Sequence, residues 1–388
     1  MRIHFVVSAL ALASLLAACS SPAPQWDATD HVASYTDLAT RTYEESVEKA
    51  ERFATAIDAF LASPDDTTLA LARDSWIEAR LPYGRSEVFR FYGGPIDGID
   101  PATGEEGPEI QLNSWPLNEA FLDYVVGNPE AGIVNDLDFV LDRDTLVQNN
   151  AVHDEADVTT GWHAIEFLLW GQDLDPVGAG NRPASDYEPG DPIRDRRRQV
   201  LTLLTEQLVE DLRWVRDRWQ ASYGDELTAL PQDEALSKIF SGVATLAGFE
   251  MAGERLGAAL DSGEQEDEHS CFSDTTHLDF RANLEGLIQV FSGRYESVDG
   301  TVTTEGHGLR ELIASVDPDQ AAVLENLLAE SWQTLERLDP PFDAVLRSPP
   351  GSTHRITTEE LIVHLQQFAE GMVTAGESLG IEVVIAAE

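Results

Sequence analysis

The chain has 388 residues and carries 70 acidic against 25 basic side chains, a formal net charge of −45. That balance excludes nucleic acid as a partner, because binding phosphates needs a basic face, and it disfavours docking of the protein surface on anionic lipid. Lysine occurs only at Lys49 and Lys238; the acidity reads as a solubilising surface and as a field that concentrates cations.

The N-terminus, "MRIHFVVSALALASLLAACSS", has a basic residue, a short apolar run and small residues before Cys19. This is the layout of a secretory signal, with an apolar run too short to span a bilayer. "LAAC" at 16–19 looks like a lipobox, which makes residues 1–18 a signal peptide and Cys19 the lipidated first residue of the mature chain. Ser20 stands where an Asp would hold such a protein at the inner membrane, so the expected address is the outer membrane, facing the periplasm or the cell surface. Residues 19–30 are polar and proline-bearing, as a tether would be. Lipid is then the only membrane attachment. With Cys19 acylated, Cys271 has no partner, so it is expected as a buried free thiol.

Beyond the tether the periodicity is helical. Residues 37–63 and 64–93 read as amphipathic helices, the second capped by Asp65 or Asp66 and kinked at Pro82. Gly93–Glu109 and Asp173–Asp191 read as long irregular loops. A long helix starts from Asp191 and Pro192, in the N-cap and first helical positions. A turn is expected around Tyr223–Pro231, then a helix rich in small residues through "GFEMAGERL", with later helices near 317–337 and 356–378. No segment alternates convincingly as a strand. The expected fold is all-α, with two helical bundles, 31–225 and 226–388, packed together.

Between the two loops lies "GWHAIEFLLWG", where His163 and Glu166 are the only ionisable groups in an apolar helix. Residues at i and i+3 share a helix face, so imidazole and carboxylate can meet one ligand, or simply satisfy each other. The zinc-protease pattern H-E-x-x-H is absent, and so is its inverted form, because Phe167 follows Glu166. Two ligands also fall short of the three that a catalytic zinc keeps. Further donors are available in Glu87, in Glu250 and Glu254, and in "QEDEHSCFSDTTHLDF", which carries Glu266, Glu268, His269, Cys271, Asp274, His277 and Asp279. No nucleophile elbow or phosphate-cradling loop occurs in the chain.

"GWHAIEFLLWG" resembles the G-x-H-x-x-E signature of the imelysin family, and "WIEARLPYGRSEVFRF", "GFEMAGERL" and "QEDEHSCFSDTTHLDF" follow the family's blocks in order. The resemblance covers roughly 43–379. It implies a two-bundle helical fold with a site at the interface, export, and a link to iron supply. Carried over by position, the signature falls on Gly161, His163 and Glu166, with Glu87, Glu254, Arg255, His269 and Asp274 as companions in the same site. The expectation is a lipoprotein that binds a metal ion there, iron ahead of zinc, and works in iron uptake with a transport partner. A zinc metallopeptidase and a purely structural or adhesive lipoprotein are the alternatives.

Overall fold

The computed structural model describes residues 26–385 apart from 102, 176–177 and 339–340; Cys19, the signal segment and most of the tether lie outside the described residues. The fold is all-α, as the periodicity predicts. Helix α1 (Thr29–Ala62) buries Tyr35, Leu38, Tyr43, Val47, Phe53, Ile57 and Phe60 along one stripe, the mark of a helix laid on a core. Helix α2 (Asp66–Ser86) packs against it. Asp65 caps α2: its side chain accepts from Thr68 N at 2.8 Å, while Thr68 Oγ1 accepts from Asp65 N at 3.1 Å. Pro82 lies inside the helix, which tightens into a 3₁₀ turn at Glu87–Phe89.

Both long loops are observed, the second with a 3₁₀ turn at Ala184–Tyr187. Short helices at Glu109–Asn113, Glu119–Leu122 and Arg143–Asn149 lead from the first to α3 (Gly161–Trp170), all ten of whose residues are buried. Helix α4 (Pro192–Arg218) starts as expected, with Asp191 accepting from the amides of Ile193 and Arg194. The expected turn at Tyr223–Pro231 is mostly helix instead. The chain continues through a π-helical turn, Trp219–Tyr223, and a short helix, Gly224–Ala229, and breaks only at Leu230–Pro231, where proline removes a donor.

Helix α5 (Gln232–Thr245) runs into a π-helical stretch, Leu246–Gly257. Then come α6 (Thr276–Ser292), α7 (Leu309–Val316), α8 (Pro318–Leu335) and α9 (Thr353–Leu379). One short hairpin accompanies the helices. Arg294–Glu296 (β1) pairs antiparallel with Thr303–Glu305 (β2), a hairpin whose three-residue arms are too short for alternation to register in sequence. Among the described residues, no helix is long and apolar enough to cross a membrane.

Buried apolar side chains from residues before and after 226 join in one continuous cluster. The contact that positions the site is α2 against α6. A Cβ on Gly286 would stand 2.4 Å from the Arg85 carbonyl oxygen, so only glycine admits this approach.

Candidate functional site

Helix α3 is held against α2 by aromatic contacts. Trp76 and Trp162 meet edge to face at 6.1 Å, and the Trp76 indole donates to the Trp162 carbonyl at 3.3 Å. The helix begins at Gly161 with φ of +86°, where a Cβ would lie 2.5 Å from the Leu112 carbonyl oxygen. The glycine of G-x-H-x-x-E is therefore a backbone requirement. It lets the helix start hard against the preceding segment and aims His163 inward.

His163 Nδ1 lies 2.9 Å from Glu166 Oε2, and Glu166 Oε1 meets the Ser273 amide at 2.9 Å and its hydroxyl at 2.6 Å. On the other side, His269 Nδ1 lies 2.9 Å from Asp279 Oδ2, which also accepts from the Ser270 hydroxyl at 2.5 Å. The two imidazole rings stand 4.8 Å apart. Arg80 reaches between them from α2. Its Nη2 is 3.2 Å from His163 Nε2 and 3.3 Å from both ring nitrogens of His269, its Nε is 3.1 Å from Asp279 Oδ1, and its Nη1 donates to Asn113 Oδ1 at 2.5 Å.

These contacts assign the His163 tautomer. A guanidinium only donates, so the Nε2 of His163 facing Arg80 is a lone pair, and the neutral ring carries its proton on Nδ1, toward Glu166. The His269 ring meets Arg80 with its two nitrogens at one distance and turns Nδ1 to Asp279. Electrostatics agree. Burial, with Arg80 second, holds the His163 pKa well below the ordinary imidazole range. Burial, with Arg255 second, lowers that of His269 to about 4. Burial opposes ionisation of Asp279, but Arg80 and His269 outweigh it and keep that carboxyl far below its usual range. Glu166 has no such cation at contact. Burial pushes it up to about 8 against the Ser273 hydrogen bonds.

The network extends through Asn113, whose Nδ2 donates to Glu87 Oε1 at 3.2 Å. Glu87 Oε2 accepts from Arg90 at 2.9 Å and from Arg255 at 2.5 Å, and Arg255 also binds Asn283 on α6 at 2.8 Å. Burial alone would raise the Glu87 pKa; Arg255 and Arg90 overcome it and bring the carboxyl down to about 2. Arg80, Glu87, His163, Glu166, Arg255, His269 and Asp279 are each no more than 3% exposed.

The structure thus brings together Gly161, His163, Glu166, Glu87, Arg255 and His269. Asp274 it places in a different group. On the "GFEMAGERL" turn Glu250 meets Arg255 at 2.7 Å, within the π-helical stretch, whose winding alters which residues share a face. Asp274 turns away through a left-handed backbone, φ +56°, toward Asp173 and Asp343. Sequence reasoning missed Arg80, Asn113 and Ser273 as site residues. Arg80 lies in a quoted block, "WIEARLPYGRSEVFRF", two helical turns before Glu87.

A ligand test follows from the donors. Two imidazoles, each with a carboxylate on Nδ1, have the arrangement that metal-ligating histidines use. The Arg80 guanidinium stands against both rings, so a cation fits between them only with Arg80 displaced. Among the described residues, three donor atoms within 4.8 Å of one another occur in two groups, neither of them at the junction: His31–His307–Glu311 and Asp173–Asp274–Asp343.

Fold and site together define an α-helical protein whose N- and C-terminal parts are joined by a buried histidine–carboxylate–arginine network. The chain belongs to the imelysin family, whose model matches residues 39–368. It is similar to iron-regulated protein A of Synechococcus elongatus, with 24% identity over 337 residues, 84% of this chain and 79% of that protein. Among solved structures it resembles one described as an iron-regulated protein A precursor from Parabacteroides distasonis. The TM-score is 0.65 at 16% identity, over 92% of this chain and 97% of that one. An imelysin-like protein from Psychrobacter arcticum gives a TM-score of 0.61 at 15% identity, over 92% and 98% of the two chains. At these identities the structural likeness speaks to the fold.

Proposed function

We propose that this protein is an exported iron-handling lipoprotein, anchored at the outer membrane through Cys19, that takes iron as cargo at the buried junction and passes it to a transport partner. One observation carries the reading. The rings of His163 and His269 face one cationic position, His163 through Nε2, and each has a carboxylate on its Nδ1. The name of the cyanobacterial relative, an iron-regulated protein, supports iron as the metal, and imidazole with carboxylate suits iron as well as zinc. Arg80 supplies the positive charge at that position, so loading is an exchange in which the guanidinium leaves as the ion arrives. Asp279 and Asn113, which Arg80 now engages, are freed in the same movement. A peptidase at this junction would need a cleft for peptide, and the side chains here are sealed from solvent.

Anaerobic titration with Fe²⁺ tests the reading, run in a His307→Ala background so that the exposed His31–His307–Glu311 group does not contribute. His163→Ala and His269→Ala are expected to weaken binding at least tenfold, about 1.4 kcal/mol or more. Arg80→Met removes the competing cation and is expected to tighten binding by a similar factor. Unchanged affinity in His163→Ala, with an earlier melt, would return the junction to a structural role. Export and anchoring are tested separately by mass spectrometry of the mature N-terminus, where an unmodified chain starting beyond Cys19 rules them out.

A further inference from the structure

A second group of carboxylates lies apart from the junction contacts. Asp173 sits in the loop after α3, Asp274 at the end of the 268–274 turn, and Asp343 at the start of the short helix Asp343–Leu346. One oxygen of each falls within 4.8 Å of the others. Glu268 faces the same group through Asp343. Three carboxylates from separated stretches of chain thus converge, with Glu268 beside Asp343, and Asp343 Oδ2 pairs with the half-exposed Arg347 at 3.2 Å. Gln265 Nε2 also donates to Asp173 Oδ2.

Crowding acidic groups is not by itself a binding site in a chain this acidic. The unsatisfied atoms are what set this group apart. Asp343 and Glu268 are each 1% exposed. Asp343 Oδ1, Glu268 Oε1 and Asp274 Oδ1 are buried, and as ionised carboxylates they have no donor; only a proton shared between Glu268 and Asp343, or between Asp274 and Asp173, would pair them. A buried carboxylate oxygen without a donor costs far more than an exposed one. Asp274 adds backbone strain, with φ of +56° in a non-glycine residue; strain of this kind clusters at ligand sites. Burial raises the carboxyls of Asp173, to about 6, and Asp274, to about 7; the charge of Asp343 adds to both, and that of Asp173 adds to Asp274. Glu268 and Asp343 are raised as well, mainly by burial.

We propose that Asp173, Asp274, Asp343 and Glu268 form an all-oxygen site for a hard divalent cation of the Ca²⁺ type. Carboxylate oxygens without nitrogen or sulfur select hard cations, and an irregular set drawn from loops suits Ca²⁺ better than Mg²⁺, which demands near-ideal octahedral geometry. The ion would take the unpaired oxygens as ligands and neutralise the mutual repulsion of the four groups. It would also tie the 173 loop, the 268–274 turn and the 343 helix to one point. The site does not rest on the iron reading: it is separate from His163 and His269 and needs no movement of Arg80.

Trp115 provides a built-in reporter, because its indole donates to the Glu268 carbonyl at 2.8 Å. Tb³⁺, a luminescent Ca²⁺ analogue, is titrated into the full mature chain at 0.15 M salt with tryptophan excitation. The expected result is sensitised emission that Ca²⁺ displaces, falling at least tenfold in Asp343→Asn and in Asp274→Asn. Thermal melts guard against a variant that merely misfolds. In EDTA, Asp343→Asn should melt at or above wild type, because a repelling charge is gone, and Ca²⁺ should raise the melting temperature of wild type alone. Absent emission, emission unchanged in Asp343→Asn, or an equal Ca²⁺ shift in both proteins overturns the site.

Discussion

The imidazoles of His163 and His269 stand 4.8 Å apart, tilted by 63°, and both face the same nitrogen of Arg80, His163 through Nε2 and His269 with its two ring nitrogens at one distance. The first histidine comes from α3 and the second from the turn before α6, so neither helix orients the pair by itself. The carboxylates of Glu166 and Asp279 do that, by holding Nδ1. Two neutral imidazoles survive at the centre of a sealed region because the guanidinium supplies the charge that their lone pairs favour.

Glu87 is the keystone of the neighbouring ion pairs, and removing it should be costly. Glu87→Ala leaves Arg90 and Arg255 buried without their shared acceptor. Breaking a buried pair from one side costs about 3–5 kcal/mol. Urea unfolding at neutral pH should show a loss of that order, whereas a change below about 0.5 kcal/mol would mean that solvent enters and screens the two arginines.

Gly161→Ala should be disruptive at a position with no ionisable chemistry. The φ of +86° and the 2.5 Å approach to the Leu112 carbonyl leave no room for a methyl group. A loss of roughly 2 kcal/mol or more is expected from strain and displacement together. Melting curves read this directly, and a variant as stable as wild type would show that α3 can start elsewhere.

Asp211 predicts a pH dependence away from both sites. Burial pushes its carboxyl to about 7, against a hydrogen bond from Gln207. A folded-state pKa above the unfolded value means that the folded chain holds the proton more tightly. The contribution is therefore full below about pH 4 and is lost as pH rises toward 7. Asp211→Asn should stabilise the protein at pH 8, by about 1–3 kcal/mol, and leave it nearly unchanged at pH 4. Equal effects at the two pH values would refute the assignment.

Cys271 is buried, with its thiol raised well above the usual range by burial and then by the nearby Glu166 and Glu268 charges. Native protein should react with a thiol reagent only as fast as it opens, and urea should accelerate labelling by orders of magnitude. Labelling complete within seconds in the native state would place the sulfur at the surface. Cys271→Ser should cost modest stability and leave Fe²⁺ affinity intact.

The helices were legible because their apolar stripes run for many turns, as in α1, and because Asp65 and the Asp191–Pro192 pair are strong start signals. The hairpin was not, since three residues per strand leave no period to read. His163, Glu166 and His269 stood out as ionisable groups in apolar or ligand-dense text. Arg80 did not, because an arginine on an amphipathic helix normally faces water, and only the tertiary contact with α6 reveals this one as internal. The Glu250–Arg255 pair lies in a π-helical stretch, a winding that sequence spacing does not announce. Asp274 was read as one more member of a dense run; a single left-handed residue sends it to a different group of carboxylates.

The junction also bears on the order in which the molecule assembles. Arg80 and Asp279 are 199 positions apart, and Glu87 and Arg255 are 168 apart. Closing such distant pairs carries a loop-closure cost before any contact rewards it. Synthesis delivers Arg80 and Glu87 long before their partners exist, so α1 and α2 can pair early while their most polar residues still face water. Those residues leave water only when α6 docks, which makes burial of the arginines a late and shared event, and leaves any intermediate that stalls before it with a wet, charged face that resists clumping.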